Sequence, residues 1–200
     1  MTSPILTAVA ELLDRGFAPV PVLTGQKGPN TPGWQKLRLD RETAPEHFSA
    51  DSNVGLLNGE PSNWLIDVDL DDDITLLIAA EFLPTTNMVS GRPSRPRSHR
   101  WYRVTAPVRT LQFRADDGGM LVEVRSTGTQ TIVPPSRHPS GEELIWHEFG
   151  DPAVVEPEVL VKGVRHLVAA TLLAKHWPEV GARNSFALAV AGYLLRGAAE

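Results

Sequence analysis

A chain of 200 residues with 42% hydrophobic content is long enough to bury a real core, as one generous domain or as a domain with a small appendage. It has no cysteine, which excludes disulfides, Cys-type zinc sites and thiol nucleophiles and leaves chemistry to carboxylates, histidines, hydroxyls and cationic groups. A net charge of −5 argues against the broadly basic surface of a sequence-independent duplex binder, and the lack of a signal-like start or an 18-residue apolar run predicts a soluble, cytoplasmic protein.

Ser3 suits a helix N-cap with Pro4 at the first position; Ile5, Val9, Leu12 and Leu13 then form an apolar stripe and Gly16 a stop. Phe17 to Leu23 reads as a short strand, and a Gly/Pro/Asn-rich loop from Thr24 to Gly33, carrying Lys27, leads to Trp34. A short helix is expected over Glu42 to Phe48, a strand over Val54 to Leu57 and a turn over Gly59 to Asn63.

Next comes Ile66-Asp67-Val68-Asp69-Leu70. Strand alternation sends Asp67 and Asp69 to one face, roughly 6 to 7 Å apart, where two carboxylates can close on a divalent cation such as magnesium. Both read as solvent-facing at a strand end. The same pattern also suits ordinary polar residues running into the solvated cluster Asp71-Asp72-Asp73.

Those three aspartates favour a helix N-terminus, and Ile74, Leu77, Ile78 and Phe82 predict its buried face, ending before Pro84. After Met88-Val89 an Arg/Pro-rich loop is expected from Gly91 to Arg97, followed by a strand over Ser98 to Val104 with His99, Trp101 and Arg103 on one face. In the strand Leu121 to Arg125, Glu123 and Arg125 share a face with Leu121 while Val122 and Val124 take the other. Strands over Thr131 to Val133 and Glu143 to Phe149 complete a mixed α/β unit. From about Glu156 the composition turns to alanine and leucine, with two helices separated near Pro178 to Gly181. The expected organisation is a domain over 1–152 and a helical tail or connector over 153–200. The last helix, Arg183 to Arg196, stops at Gly197, which suggests a piece of a longer protein.

Charge is segregated along the chain. Nine of the 19 Lys and Arg residues are arginines between Arg92 and Arg137, a span with only three acids, Asp116, Asp117 and Glu123. A local basic surface beside an acidic site is what phosphate substrates require, and a solvated arginine-rich loop is the plainer alternative.

Asp67 with Asp69, Arg97-Ser98-His99 and Val122-Glu123 resemble the three motifs of the archaeo-eukaryotic primase superfamily, most closely its bifunctional primase–polymerase (Prim-Pol) branch. Agreement extends to Gly16-Phe17-Ala18-Pro19-Val20-Pro21-Val22, Lys27 with Pro29 and Trp34, Asn53-Val54-Gly55-Leu56, and Pro134-Pro135-Ser136-Arg137-His138-Pro139-Ser140-Gly141 followed by Trp146. The resemblance covers roughly residues 4 to 150. Three positions depart from it: Arg97 stands where a small residue is usual, a run of Arg and Pro replaces the glycine-rich turn before the histidine, and Glu123 replaces the commoner Asp.

The resemblance implies an α/β (α+β) archaeo-eukaryotic primase-like fold, with an RRM-like mixed sheet and an N-terminal αβ module. It implies a template-directed nucleotidyltransferase in which Asp67, Asp69 and Glu123 hold two Mg2+ or Mn2+ ions, with no zinc. His99 would contact the triphosphate with Ser98 beside it; Arg125, Lys27, Ser136 and His138 are further nucleotide-binding candidates. Arg92, Arg95 and Arg97 would track the phosphates of a single-stranded DNA template or primer. The setting it implies is a bacterial or phage-infected cell, and a plasmid or phage replication protein in which a helicase domain follows. No Gly-x-x-x-x-Gly-Lys-Ser/Thr loop is present in these residues. A metal-dependent phosphodiesterase or nuclease, and a non-catalytic single-stranded DNA binding module, remain alternatives on the same residues.

Overall fold

The hydroxyl oxygen of Ser3 accepts the amide of Ile5 at 3.3 Å, and Pro4 occupies the first turn, where its missing N–H leaves no bond unmade. This start gives α1 (Pro4–Asp14), which buries Ile5, Val9 and Leu12 and ends before Gly16. The computed structural model describes residues 3–197; the outermost residues of the two predicted units, 1–2 and 198–200, lie outside that range.

β1 (Pro19–Val22), β2 (Asn53–Leu57) and β8 (Gln130–Val133) form a small antiparallel sheet in the order β1-β2-β8. Between β1 and β2 the expected short helix is a single turn, α2 (Ala44–His47). The large sheet contains β3 (Leu65–Leu70), β4 (Met88–Arg92), β5 (Arg95–Val104), β6 (Leu111–Arg114), β7 (Met120–Arg125) and β9 (Ile145–Phe149), ordered β6-β7-β3-β5-β4-β9 and antiparallel throughout. A seventh strand, β10 (Ala153–Val155), runs parallel to the end of β5. β6 is a four-residue Leu-Gln-Phe-Arg alternation and β10 a three-residue run without alternation, both too short to stand out, and sequence reading passes over both.

Helices α3 (Asp73–Phe82) and α4 (Pro157–Lys175) cover one face of this sheet. Ile66, Val68, Leu70, Tyr102, Val122 and Val124 meet Ala79, Leu160, Val164 and Leu167 there, all fully buried. Each such aliphatic side chain contributes about 2 kcal/mol of burial free energy. Gly163 lets α4 lie close to α3, since a Cβ there would stand 2.5 Å from the Phe82 carbonyl oxygen. Leu77, expected in the buried stripe of α3, is 80% exposed. The helix instead turns Thr75 and Ala79 inward, with Leu76, Ile78 and Phe82 packed beside them. A second core joins α1 to both sheets through Val9, Leu12, Val54, Leu56, Leu65, Trp101 and Val133.

The Arg/Pro-rich segment expected as a loop is a β-hairpin. β4 and β5 pair from Val89/Arg100 to Arg92/Arg95, leaving Pro93 and Ser94 as the tip. The register shifts between Ser90 and Arg92, and Arg97 takes φ 58 in that bulge. Only Gly fits at position 91, because a Cβ would lie 2.5 Å from Arg95 O and 2.6 Å from Arg97 N. Two C-terminal helices follow as expected, α4 and α5 (Arg183–Gly197). The fold is mixed α+β, with two antiparallel sheets and C-terminal helices. Among the described residues no helix is long and apolar enough to cross a membrane.

Candidate active site

The face of the large sheet opposite α3 and α4 carries the acidic strand, and register assembles the site. Asp69 on β3 lies directly opposite His99 on β5 and directly opposite Glu123 on β7. One step along, Asp67 has Trp101 and Arg125 as cross-strand partners. Asp69, His99, Glu123 and Arg125 floor a cleft of about 400 Å³ between the two sheets, walled by Lys27, Trp34, Thr131, Arg92, Arg95 and His138, and Asp67 lies buried beneath them.

Asp67 and Asp69 are not solvent-facing, as sequence alone suggests: they are 0% and 5% exposed. The small sheet closes over the strand end, and Thr131 Oγ1 on β8 donates to Asp67 Oδ2 at 2.6 Å. His99 Nδ1 donates to the Asp67 carboxylate at 3.0 and 3.2 Å and lies 3.5 Å from Asp69 Oδ1. Arg125 reaches all three acids, through Nη2 to Asp69 at 2.5 Å, Nε to Glu123 at 2.7 Å and Nη1 to Asp67 at 3.5 Å. Gln112 Nε2, on β6, donates to the other oxygen of Glu123 at 2.8 Å.

Burial would raise both aspartates. For Asp67 the His99 and Arg125 charges, with the Thr131 hydroxyl, outweigh it and hold the carboxyl below its ordinary range. For Asp69 burial wins over the same two charges, and its pKa is raised. Burial would lower His99, but Asp69 and Asp67 overcome that and favour the protonated imidazole. Arg125 is likewise driven up, since its three carboxylates outweigh its desolvation. Both basic side chains of the site are thus favoured in their charged forms by the acids around them.

Around this floor the cleft is cationic. Lys27, Ser98, Arg92, Arg95 and His138 line it, as does Asp71. His138 is pushed below its ordinary pKa by burial and by the charges of Arg92 and Lys27. Arg95 is anchored to Leu70 O at 3.2 Å and Asp73 at 2.9 Å, and Arg92 to Glu142 at 3.1 Å. Three expected residues stand apart from the lining, the first being the fully buried Asp67, which meets the site only through His99, Arg125 and Thr131. Arg97 pairs with Glu148 at 2.7 Å. Ser136 is fully buried, its hydroxyl accepting Val54 N at 2.7 Å and donating to Val54 O at 3.2 Å. Sequence reading misses Thr131 and Gln112 as site residues, because only cross-strand and cross-sheet register brings them to the acids; Trp34 carries a signal, an isolated aromatic closing a Gly/Pro loop next to Lys27.

The donor set fits a divalent cation. Three carboxylates on adjacent strands offer the hard oxygen ligands that magnesium or manganese takes. The guanidinium of Arg125 reaches the three carboxylates through three different nitrogens, one for each acid. Among the described residues no three acidic or histidine side chains close on a common metal position.

No curated protein matches the chain. Residues 9–158 match the Prim-Pol family model, described as bifunctional DNA primase/polymerase, N-terminal, which takes in all three acids and His99. Enzymes of this kind are divalent-metal nucleotidyltransferases acting on DNA and nucleotides. With three quarters of its length inside that match and a mixed α+β fold to accompany it, the chain belongs to the Prim-Pol family of bifunctional DNA primase/polymerases.

Proposed function

We propose that this cleft joins nucleoside triphosphates to the 3′-hydroxyl of a primer on a single-stranded DNA template, with Asp67, Asp69 and Glu123 as ligands of two Mg2+ or Mn2+ ions. The observation that carries the reading is the row His99, Asp69, Glu123 across three adjacent strands, with Asp67 one register step away on the same face. Ions held there would lower the pKa of the attacking hydroxyl and neutralise the triphosphate.

The chain's own residues bind and orient. His99, whose Nδ1 pairs with Asp67, offers its other ring nitrogen to a phosphate oxygen, with Ser98 adjacent in the lining. Lys27 and Arg125 supply further positive charge to the triphosphate, and His138 forms part of the same wall. Ser136 acts indirectly, fixing through Val54 the turn that carries His138. Arg92 and Arg95, held beside the hairpin tip by Glu142 and Asp73, meet the phosphates of template or primer, and Arg97 extends that surface. Residues 1–152 carry the chemistry in this reading. The segment 153–200, which opens with β10 and is otherwise helical, connects onward, its first helix anchored by Leu160, Val164 and Leu167 and by a Lys175–Asp72 ion pair of 2.6 Å. The setting that suits such a unit is a plasmid or phage replication protein with a helicase downstream.

Incorporation of labelled nucleotides on single-stranded template, with and without an annealed primer and with Mg2+, Mn2+ or chelator, tests the proposal. Metal-dependent extension supports it, and products without a primer make the enzyme a primase as well. Degradation of the template in the absence of nucleotides would replace it with the phosphodiesterase reading.

A further inference from the structure

Arg125 is drawn down among the acids, with its guanidinium spread over three carboxylates and Nη1 also donating to Thr131 Oγ1 at 3.2 Å. The backbone imposes this position. Arg125 is the direct cross-strand partner of Asp67 and lies two residues from Glu123 on the same face of β7, which is itself opposite Asp69. Its side chain is 22% exposed, against 0%, 7% and 14% for Asp67, Asp69 and Glu123. In such a poorly solvated setting charge-assisted bonds are strong, and so is repulsion between like charges.

A divalent ion approaching these carboxylates therefore meets a cation already bound to them. We propose that Arg125 is a built-in counter-cation that competes with the divalent metal for Asp67, Asp69 and Glu123, and that metal entry releases its guanidinium into the cleft to pair with the incoming triphosphate. This rests on the reading of those three acids as the metal ligands. Free of metal, the guanidinium keeps three mutually repelling carboxylates together. Its release couples metal occupancy to nucleotide capture, because the same side chain serves the acids first and the substrate second.

The consequence is a pair of effects of opposite sign. A competitor that must leave lowers apparent metal affinity by the fraction of time it is absent, so removing it tightens metal binding. Removing it also deletes a phosphate contact. A purely structural arginine would weaken both ligands when replaced, and a simple triphosphate contact would leave metal affinity unchanged.

Mn2+ binding to the nucleotide-free full chain, followed by electron paramagnetic resonance, should tighten about tenfold or more in Arg125→Gln, while nucleotide affinity measured with Mn2+ present falls. Unchanged or weaker Mn2+ binding in a folded Arg125→Gln, with Asp69→Asn abolishing binding, overturns the inference alone. Persistent Mn2+ binding in Asp69→Asn overturns the metal-site reading beneath it. Should Arg125→Gln fail to fold, the wild-type protein decides by nuclear magnetic resonance of the Arg125 Nε–H. That proton should be protected without metal and exchange with water once Mg2+ is bound; protection that survives Mg2+ saturation overturns the proposal.

Discussion

Asp69 and Glu123 stand directly opposite each other on β3 and β7, two acids on adjacent strands that would repel, and Arg125 binds both, at 2.5 and 2.7 Å. With His99 on the other side of Asp69, the pair forms the centre of the cleft floor.

The two aspartates should part company when mutated. Asp69, whose charge burial already disfavours, is replaced isosterically by Asn with a stability change within about 1 kcal/mol, while nucleotide incorporation falls by about 100-fold or more. Asp67→Ala strips a fully buried carboxylate from His99, Arg125 and Thr131 and should cost about 3 kcal/mol of stability besides activity. Urea unfolding beside incorporation rates checks both halves.

His99→Ala removes a hydrogen-bonding ring from the cleft floor and leaves the hairpin arginines untouched. The KM for nucleotide should rise about tenfold and the Kd for template by less than about twofold, as steady-state kinetics and fluorescence anisotropy would show. Equal losses in both would move His99 out of the triphosphate contact.

Arg92→Gln and Arg95→Gln should weaken single-stranded DNA binding alike on every sequence. Each lost phosphate contact lowers the slope of log K against log salt by about 0.7. Arg97→Gln, at a position paired with Glu148 away from the cleft lining, should change the slope less. Binding isotherms at several salt concentrations give these slopes directly.

The hairpin tip carries an acid-sensitive tie. Glu142 accepts the hydroxyl and the amide of Ser94, both at 2.7 Å, and with Arg92 nearby its pKa falls to about 2. A carboxyl depressed on folding contributes stability that is present above its unfolded value of 4.5 and is lost as pH falls toward 2. The Tm advantage of the wild type over Glu142→Gln should therefore be constant from pH 7 to 5 and shrink steadily below pH 4.5 in thermal scans.

Alternation along Ile66 to Leu70 was enough to place Asp67 and Asp69 on one face, and the sequence around His99 and Glu123 placed each on a strand. Their convergence depends on the pairing β5-β3-β7, which no local pattern encodes. The same holds for Arg125, legible as a cleft cation but not as the partner of three acids, and for Thr131, which arrives from the other sheet. The hairpin was hidden because Pro93 and Pro96 read as strand breakers. β5 tolerates Pro96 since that end of the strand extends past β3, whose pairing begins at His99. Leu77 misled because hydrophobic spacing in α3 admits two faces, and the α4 contact selects the one with Thr75 and Ala79.

The most direct test is nucleotide incorporation on a primed single-stranded template by the wild type and by Asp69→Asn, both shown folded and both able to bind template. The account predicts metal-dependent extension by the wild type and none by the variant. Equal extension by the two, or no extension by a wild type that binds template and metal, would contradict it.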